Sequence, residues 1–179
     1  MLFKNKKRKL PRPFITLKMD GRIIHEVTHS RFFWVFINSE LNWSYHCNHI
    51  STKVAKGVGI LSKLRKYVNN KTLTTMYYSF IYPYFNYCIE VWGKTYDIYL
   101  NKLWLLQKRA IRIISYSDYL AHTEALFKEL KILPIKKVYV FSVAQFMFKY
   151  NRQLLPNIFD NMFTMNAFLH TYYTRQRNV

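Results

Sequence analysis

The acidic residues of this chain are few and far apart. Nine Asp and Glu occur among 179 residues, and no two of them are adjacent or two positions apart. Phosphoryl transfer by a two-metal mechanism needs two or three carboxylates that hold a pair of Mg²⁺ ions. The sequence also contains no glycine-rich phosphate loop, no His-Glu-x-x-His helix and no serine nucleophile elbow. We therefore expect this chain to have no catalytic residues and to bind no cofactor.

One short stretch, His46-Cys47-Asn48-His49, contains residue types that bind metal ions. His46 and His49 are three positions apart and can share a helical face, but Cys47 points away from both. No fourth ligand follows at a standard spacing. We therefore predict no metal site, and interpret the stretch as a partly buried cysteine between surface histidines.

The charge balance is strongly basic. Lys and Arg number 28 against nine Asp and Glu, which gives a net charge of +19. A field of this sign attracts polyanions, so we expect a nucleic-acid partner, with an anionic membrane surface as the alternative. Two cysteines without framework spacing indicate a reduced intracellular protein, nuclear or cytoplasmic. The basic N-terminus lacks the apolar run and cleavage site of a secretory signal.

The first forty residues carry turn and strand signals. A basic cluster at Lys4–Lys9 belongs to a predicted flexible tail. The alternating pattern of Phe14–Lys18, the Asp20-Gly21 turn and the segment Arg22–Thr28 predict a hairpin. The apolar run Arg31–Asn38 predicts a third, buried strand. We expect these strands to form one small antiparallel sheet.

The pattern changes to a helical period from Trp43 onward. Ser44 is the predicted cap of a first helix that Gly57 and Gly59 loosen and that Asn69-Asn70 ends. Thr72 starts the next segment, in which apolar and aromatic residues are so dense from Thr75 to Gly93 that we expect both helix faces to be buried, with Pro83 kinking or dividing it. Further helices are predicted over Ile98–Ser115, over His122–Leu130 and from Pro134 to about Tyr150.

Four glycines, together with 50% hydrophobic residues, favour helices over a turn-rich all-β fold. The predicted fold class is therefore α+β, mainly α. The predicted organisation is a basic flexible tail at 1–13, a β region at 14–42, a helical region at 43–155 and an irregular tail at 156–179.

Several of these segments carry a family resemblance. The aromatic segment Thr75–Gly93, TMYYSFIYPYFNYCIEVWG, resembles the Phe-Ile-Tyr-Pro-x-x-x-Tyr-x-x-x-x-Trp-Gly signature that follows the catalytic domain in LINE-type, jockey-like non-LTR retrotransposon reverse transcriptases. Further segments are similar to that family in the same order. They are Arg31–Asn38 with Leu41, Trp43 and His46, then Lys53–Arg65, Leu106–Ile114, His122–Phe127 and Tyr173–Arg175.

In that family the segment like Arg31–Asn38 is the primer grip, a hairpin that presses on the end of the growing strand. The resemblance therefore implies primer-grip roles for Arg31, Phe32, Phe33 and Trp34. Trp34 replaces a glycine of the family pattern and Asn38 replaces an aspartate. A bulky Trp34 should block close backbone approach to a ligand, unless it packs on the sheet.

The resemblance implies that the helical part is a polymerase thumb, which grips the phosphates of a primer–template duplex. An RNA–DNA hybrid is A-like, with a wide, shallow minor groove. Alternatively, the basic residues only solubilise apolar helices. Tyrosines such as Tyr77 and Tyr84 can stack on single-stranded bases, although we favour core packing for them. The candidate phosphate-binding residues are Lys102, Lys108, Arg109 and Arg112, followed by Lys53, Lys56, Lys63, Arg65 and Lys66.

We therefore expect a C-terminal fragment of a reverse transcriptase, with a small sheet from the end of the palm followed by a thumb-like helical bundle. Catalytic carboxylates and their Mg²⁺ would belong to the parent polymerase, upstream of this chain. The expected partners are an RNA–DNA hybrid or other nucleic acid, and the missing palm and fingers. One alternative is a small nucleic-acid-binding protein derived from such a fragment. Another is a membrane-associated protein that inserts Thr72–Ile89.

Overall fold

The computed structural model describes residues 17–160, together with residues 1, 3, 162 and 163. The chain divides into two compact units, residues 1–139 and residues 140–179. The basic cluster Lys4–Lys9, the start of the first predicted strand and the Tyr173–Arg175 element lie outside the described residues.

The N-terminal β region consists of two separate antiparallel hairpins. Strand β1 (Lys18–Met19) pairs with β2 (Arg22–Ile23) across Asp20-Gly21, where both residues have positive φ. The predicted turn is therefore confirmed, because Asp and Gly both tolerate that conformation. Strand β3 (His29–Phe32) pairs with β4 (Val35–Asn38). The prediction of one sheet was wrong, since the described strands form two.

The prediction of a third buried strand over residues 31–38 was also wrong. Phe33 has a φ of 50° and reverses the chain, so that Phe32 pairs with Val35. Every residue of β3 is exposed, whereas Val35 of β4 is buried and the rest of β4 half-buried, since β4 packs against the first helix. An apolar run needs cover on both faces to be fully buried, and this hairpin is covered on one.

Most of the rest of the described chain is helical, which confirms the α+β, mainly α class. The helices are α1 (Ser44–Leu64), α2 (Asn70–Phe80), α3 (Tyr82–Asn86), α4 (Ile89–Trp92), α5 (Asp97–Ile114), α6 (Glu124–Glu129) and α7 (Ile135–Asn151), followed by a 3-10 turn at Asn157–Phe159.

The caps differ from those predicted. Ser44 is the first residue of α1, and Trp43, with a left-handed φ of 61°, stands at its N-cap. Helix α1 ends at Leu64, before Asn69. The Asn69 side chain instead begins α2, because its Oδ1 accepts a hydrogen bond of 2.9 Å from the backbone N–H of Thr72.

Helices α1 and α5 run side by side in the same direction. Near their starts, Nζ of Lys102 lies 3.0 Å from Oδ1 of Asn48. Beyond their ends, the guanidinium of Arg65 lies 3.4 Å from the carbonyl oxygen of Ser117. The side chains between the helices are buried and form the core with those of α2–α4.

The aromatic segment buries one stripe and exposes the rest. The division at Pro83 is confirmed: α2 ends at Phe80, and the proline occupies the first turn of α3. The prediction that both faces are buried was wrong. Buried and exposed positions alternate at helical spacing instead. The fully buried side chains are Tyr77, Ile81, Phe85, Ile89 and Trp92, and the exposed ones include Tyr78, Phe80, Tyr84, Tyr87 and Val91.

The described residues of the second unit, 140–160 with 162 and 163, pack their own aromatic side chains. The hydroxyl of Tyr150 donates to the carbonyl oxygen of Asp160 at 3.0 Å and accepts from the backbone N–H of Phe163 at 3.3 Å. The ring of Phe146 contacts that of Phe159 with centroids 5.7 Å apart. These contacts fold the end of the described chain back on the last turns of α7.

Candidate nucleic-acid interface

The tip of the β3–β4 hairpin brings the four primer-grip-like residues together. Nε of Arg31 donates to the carbonyl oxygen of Phe33 at 2.9 Å, and its guanidinium carbon lies 4.4 Å from the centre of the Trp34 ring. Phe32, Phe33 and Trp34 are each more than 60% exposed. Trp34 thus contacts Arg31 at the turn and does not pack into a core. The tip presents a guanidinium and three aromatic rings to solvent.

A groove of about 470 Å³ lies beside this tip, and we call it the hairpin groove. The hairpin forms one wall, α1 another, and the end of α2 with α3 the third. Its lining combines cations with aromatic rings. The lining residues are Arg31, Trp34, Phe36, His46, His49, Ile50, Lys53, Ser79, Phe80, Pro83, Tyr84 and Tyr87.

Positive charge converges in the hairpin groove. The pKa of His49 is lowered, chiefly by partial burial and then by the neighbouring charges of Lys53 and Arg31. Arg31 comes from β3 and Lys53 from α1, so the tertiary fold sets two cations from distant parts of the chain around one imidazole. Such an arrangement attracts a phosphate and disfavours a third cation.

His46 fastens the hairpin to α1. Its Nδ1 accepts a hydrogen bond of 3.3 Å from the backbone N–H of Phe36, and its ring lies edge-on to that of Trp92 with centroids 5.3 Å apart. Burial, followed by the charge of His49, lowers the pKa of His46 to about 4. The imidazole is therefore neutral near pH 7. The prediction that His46 is a surface histidine was wrong, because the hairpin covers it.

The predicted basic residues of α1 and of the two positions after it have three different surroundings. Lys53 lines the hairpin groove. Lys56 and Lys63 are seven positions apart on the exposed face of α1, and Lys66 is exposed just beyond the helix. Arg65 is half-buried, with its guanidinium bonded to Ser117 and 5.2 Å from the ring centre of Tyr116. Arg65 thus has a partner within the chain.

The predicted basic residues of α5 are likewise dispersed. Lys102 bonds to Asn48 of α1, and Nε of Arg112 donates to the carbonyl oxygen of Ala121 at 2.8 Å. Arg109 is exposed. Lys108 faces a different groove, with its Nζ 5.0 Å from the ring centre of Trp104. The fold therefore does not gather these cations on one surface.

A second basic groove includes lysines that the sequence reading passed over. Lys128, Lys131, Lys136 and Lys137 line it together with Lys108. The signal was present in the sequence, because four lysines and only one acidic residue fall within residues 128–137. It was missed because the two segments were interpreted only as helices, over His122–Leu130 and from Pro134 to about Tyr150, without weighing their lysines as phosphate contacts.

The described residues offer no donor set for two Mg²⁺ ions. They contain no group of three or more His, Cys, Asp or Glu side chains that could hold a metal ion. Cys47 is fully buried, and burial raises the pKa of its thiol to about 12, so it is not a thiolate ligand near neutral pH. In the same part of the chain, no helix has both the length and the apolar character needed to cross a membrane.

Comparison with known proteins finds a relative among transposon polymerases. The chain is 24% identical over 110 residues to a probable RNA-directed DNA polymerase from transposon X-element of Drosophila melanogaster. The match takes in 59% of this chain and 12% of that protein, so the chain spans a small part of its relative. No protein-family profile matches the chain, and no solved structure matches it significantly. The similarity supports a relationship to transposon reverse transcriptases.

Proposed function

We propose that this chain is the primer-grip and thumb portion of a non-LTR retrotransposon reverse transcriptase, and that it holds an RNA–DNA hybrid without catalysing polymerisation. The similarity to a transposon polymerase supports the parent activity. The order of the family-like segments along the chain supports the position within that polymerase. The carboxylates that hold Mg²⁺ would come from the palm of the parent enzyme. We place the chain in the nucleus or the cytoplasm.

The hairpin groove carries this proposal. Arg31 and Lys53 lie on two of its walls, and aromatic rings including Trp34 and Tyr87 line the space between. Cations neutralise phosphates, and aromatic faces accept sugars and bases without reading sequence. A groove with both kinds of side chain therefore suits a nucleic-acid backbone better than a small apolar ligand.

Exposed cations outside the groove extend the proposed surface. Lys56 and Lys63 lie on one face of α1, and Arg109 is exposed on the parallel helix α5. Phosphate contacts of this kind fix the position of a duplex and contribute affinity that depends on salt. A hybrid duplex is A-like and presents a wide, shallow minor groove that helices can follow.

Binding of the full chain to a blunt RNA–DNA hybrid, followed by fluorescence anisotropy across salt concentrations, tests the proposal. The double variant Arg31→Gln, Lys53→Gln should bind the hybrid about tenfold more weakly. The salt slope, which is the slope of the logarithm of the binding constant against the logarithm of the salt concentration, should become less steep by about two, since each phosphate contact adds nearly one to it. The control Lys71→Gln, Lys149→Gln removes the same charge from exposed positions elsewhere.

Equal losses in the two double variants would show that only net charge matters and would overturn the assigned groove. Failure of the wild-type chain to bind the hybrid would overturn the proposed function. Anionic phospholipid vesicles provide a further comparison. Binding to vesicles in preference to the hybrid would support the membrane-associated alternative instead.

A further inference from the structure

The second basic groove, which we call the α5–α6–α7 groove, has a volume of about 1150 Å³. It lies within residues 104–137, between the second half of α5, α6 and the start of α7. None of its lining residues also lines the hairpin groove. The two grooves are therefore separate sites on the first unit.

Lysines dominate the charge of the α5–α6–α7 groove. Of the five that line it, Lys128 pairs with Glu124 at 3.3 Å and Lys136 pairs with Asp97 at 2.7 Å. Among the described residues, no carboxylate lies within ion-pair distance of the other three, Lys108, Lys131 and Lys137. The groove thus has a surplus of positive charge, which would attract an anionic occupant.

The floor of this groove is held rigidly. The half-buried ring of Trp104 stacks on that of Phe127, with centroids 5.2 Å apart and planes 15° apart. Phe127 is buried, and Ile132 and Ile135 behind it are buried as well. The backbone that carries the lysines is therefore anchored to a packed apolar base, while the side chains of Lys128, Lys131 and Lys137 are exposed.

We propose that the α5–α6–α7 groove binds the sugar–phosphate backbone of a single-stranded nucleic acid. This deepens the proposed function, since it adds a single-strand site to a chain proposed to hold a hybrid. The groove sets the half-buried ring of Trp104 among its five lysines. A positively charged groove that also offers an aromatic face suits a single strand, because the cations follow its backbone and its unpaired bases are free to stack.

The test compares two triple variants that remove equal charge. One is Lys128→Gln, Lys131→Gln, Lys137→Gln in the α5–α6–α7 groove, and the other is Lys56→Gln, Lys63→Gln, Lys66→Gln on and beside α1. All six lysines are exposed, so both variants should keep the wild-type circular dichroism spectrum and melting temperature. The probes are a twelve-nucleotide oligouridine RNA and a blunt RNA–DNA hybrid, each titrated across salt.

The groove variant should bind the oligouridine about tenfold more weakly, with a salt slope lower by about two, because each phosphate contact of a single strand contributes about 0.7. Its affinity for the hybrid should stay within about twofold. The α1 variant should show the opposite pattern. Each variant is thus the charge-matched control for the other.

An oligouridine affinity that is unchanged in the groove variant would overturn the single-strand site. So would equal losses for both probes in both variants, which would reflect net charge alone, or a loss confined to the hybrid in the groove variant. Failure of the wild-type chain to bind the hybrid would overturn the proposed function. The single-strand site would then be judged from the oligouridine titrations alone.

Discussion

The side-chain amide of Gln107 donates a hydrogen bond of 2.8 Å to the phenolic oxygen of Tyr77, and neither side chain has any exposed surface. The same amide nitrogen donates to the carbonyl oxygen of Leu133 at 2.9 Å, and its oxygen accepts from the backbone N–H of Ile135 at 2.8 Å. Gln107 thus joins α2, α5 and the start of α7. Tyr77 and Gln107 belong to two of the segments that resemble the retrotransposon family. At these two positions, therefore, the residues that resemble the family are buried core residues.

Replacing Gln107 with Leu should destabilise the chain by about 2–4 kcal/mol. The substitution leaves the buried N–H of Ile135 without its partner and removes the donor to the carbonyl oxygen of Leu133. The control Tyr77→Phe removes one of the hydrogen bonds and should cost only about 1 kcal/mol. Urea unfolding of both variants measures the difference. A cost of Gln107→Leu no larger than that of Tyr77→Phe would contradict the joining role.

Two glycines of α1 should respond oppositely to alanine. A Cβ on Gly57 would lie 2.8 Å from Cγ1 of Ile81 and 3.2 Å from the carbonyl oxygen of Phe80, whereas one on Gly59 would meet nothing within 4 Å. Gly57→Ala should destabilise by about 1–3 kcal/mol through overpacking, and Gly59→Ala should stabilise by up to about 1 kcal/mol through helix propensity.

Thermal unfolding of the two alanine variants compares them directly. The melting temperature should fall for Gly57→Ala and rise for Gly59→Ala. Helix α1 is continuous through both glycines, contrary to the expected loosening. The close approach of the end of α2 leaves no room for a Cβ at position 57, which explains the glycine there. Two changes of the same sign would argue against that close approach.

Stability should fall in mildly acidic solution because of His46. Its pKa is lowered from 6.5 to about 4 in the folded chain, so between these values the unfolded chain takes up a proton that the folded chain does not. The free energy of unfolding should therefore decrease as the pH falls from about 6.5 to about 4, by about 3 kcal/mol in total, and this contribution should then level off.

Urea unfolding of the wild type and of His46→Asn at pH 7 and pH 4.5 isolates this effect. Asparagine offers an acceptor for the N–H of Phe36 but does not titrate, so the stability of the variant should vary less with pH. The difference in free energy of unfolding between the wild type and the variant should therefore narrow as the pH falls. A gap that is constant with pH would contradict the buried, neutral imidazole.

Arg109 and Arg112, three positions apart on α5, should differ in what their loss changes. Arg112→Gln removes the donor to the carbonyl oxygen of Ala121 and should lower stability by about 1 kcal/mol. Arg109 is exposed, so Arg109→Gln should leave stability unchanged and reduce the salt slope of hybrid binding by about one. Unfolding and anisotropy on both variants check this, and a similar loss of stability in both would contradict it.

The helical part of the fold was largely predictable. Apolar periodicity predicted a helix within a few residues of the observed α5, and proline chemistry predicted the division between α2 and α3. The residue pattern did not predict the hairpin of β3 and β4, because its turn is Phe33-Trp34, a pair without the usual turn residues, and only the family resemblance implied a hairpin there. The half-exposed aromatic segment was misjudged for a related reason, since composition does not say how many neighbours cover a helix.

The sequence by itself determined the basic charge, the mainly helical class and the scarcity of paired carboxylates, because each depends on residue type and local spacing. Only the tertiary structure decided which cations share a surface. Arg31 and Lys53 lie near His49 because β4 packs on α1, and Lys108 and Lys131 line one groove because α6 packs against α5. Gln107 became a core residue because its partners arrive from about thirty residues away on either side. Such pairings follow from how helices pack, which no local pattern specifies.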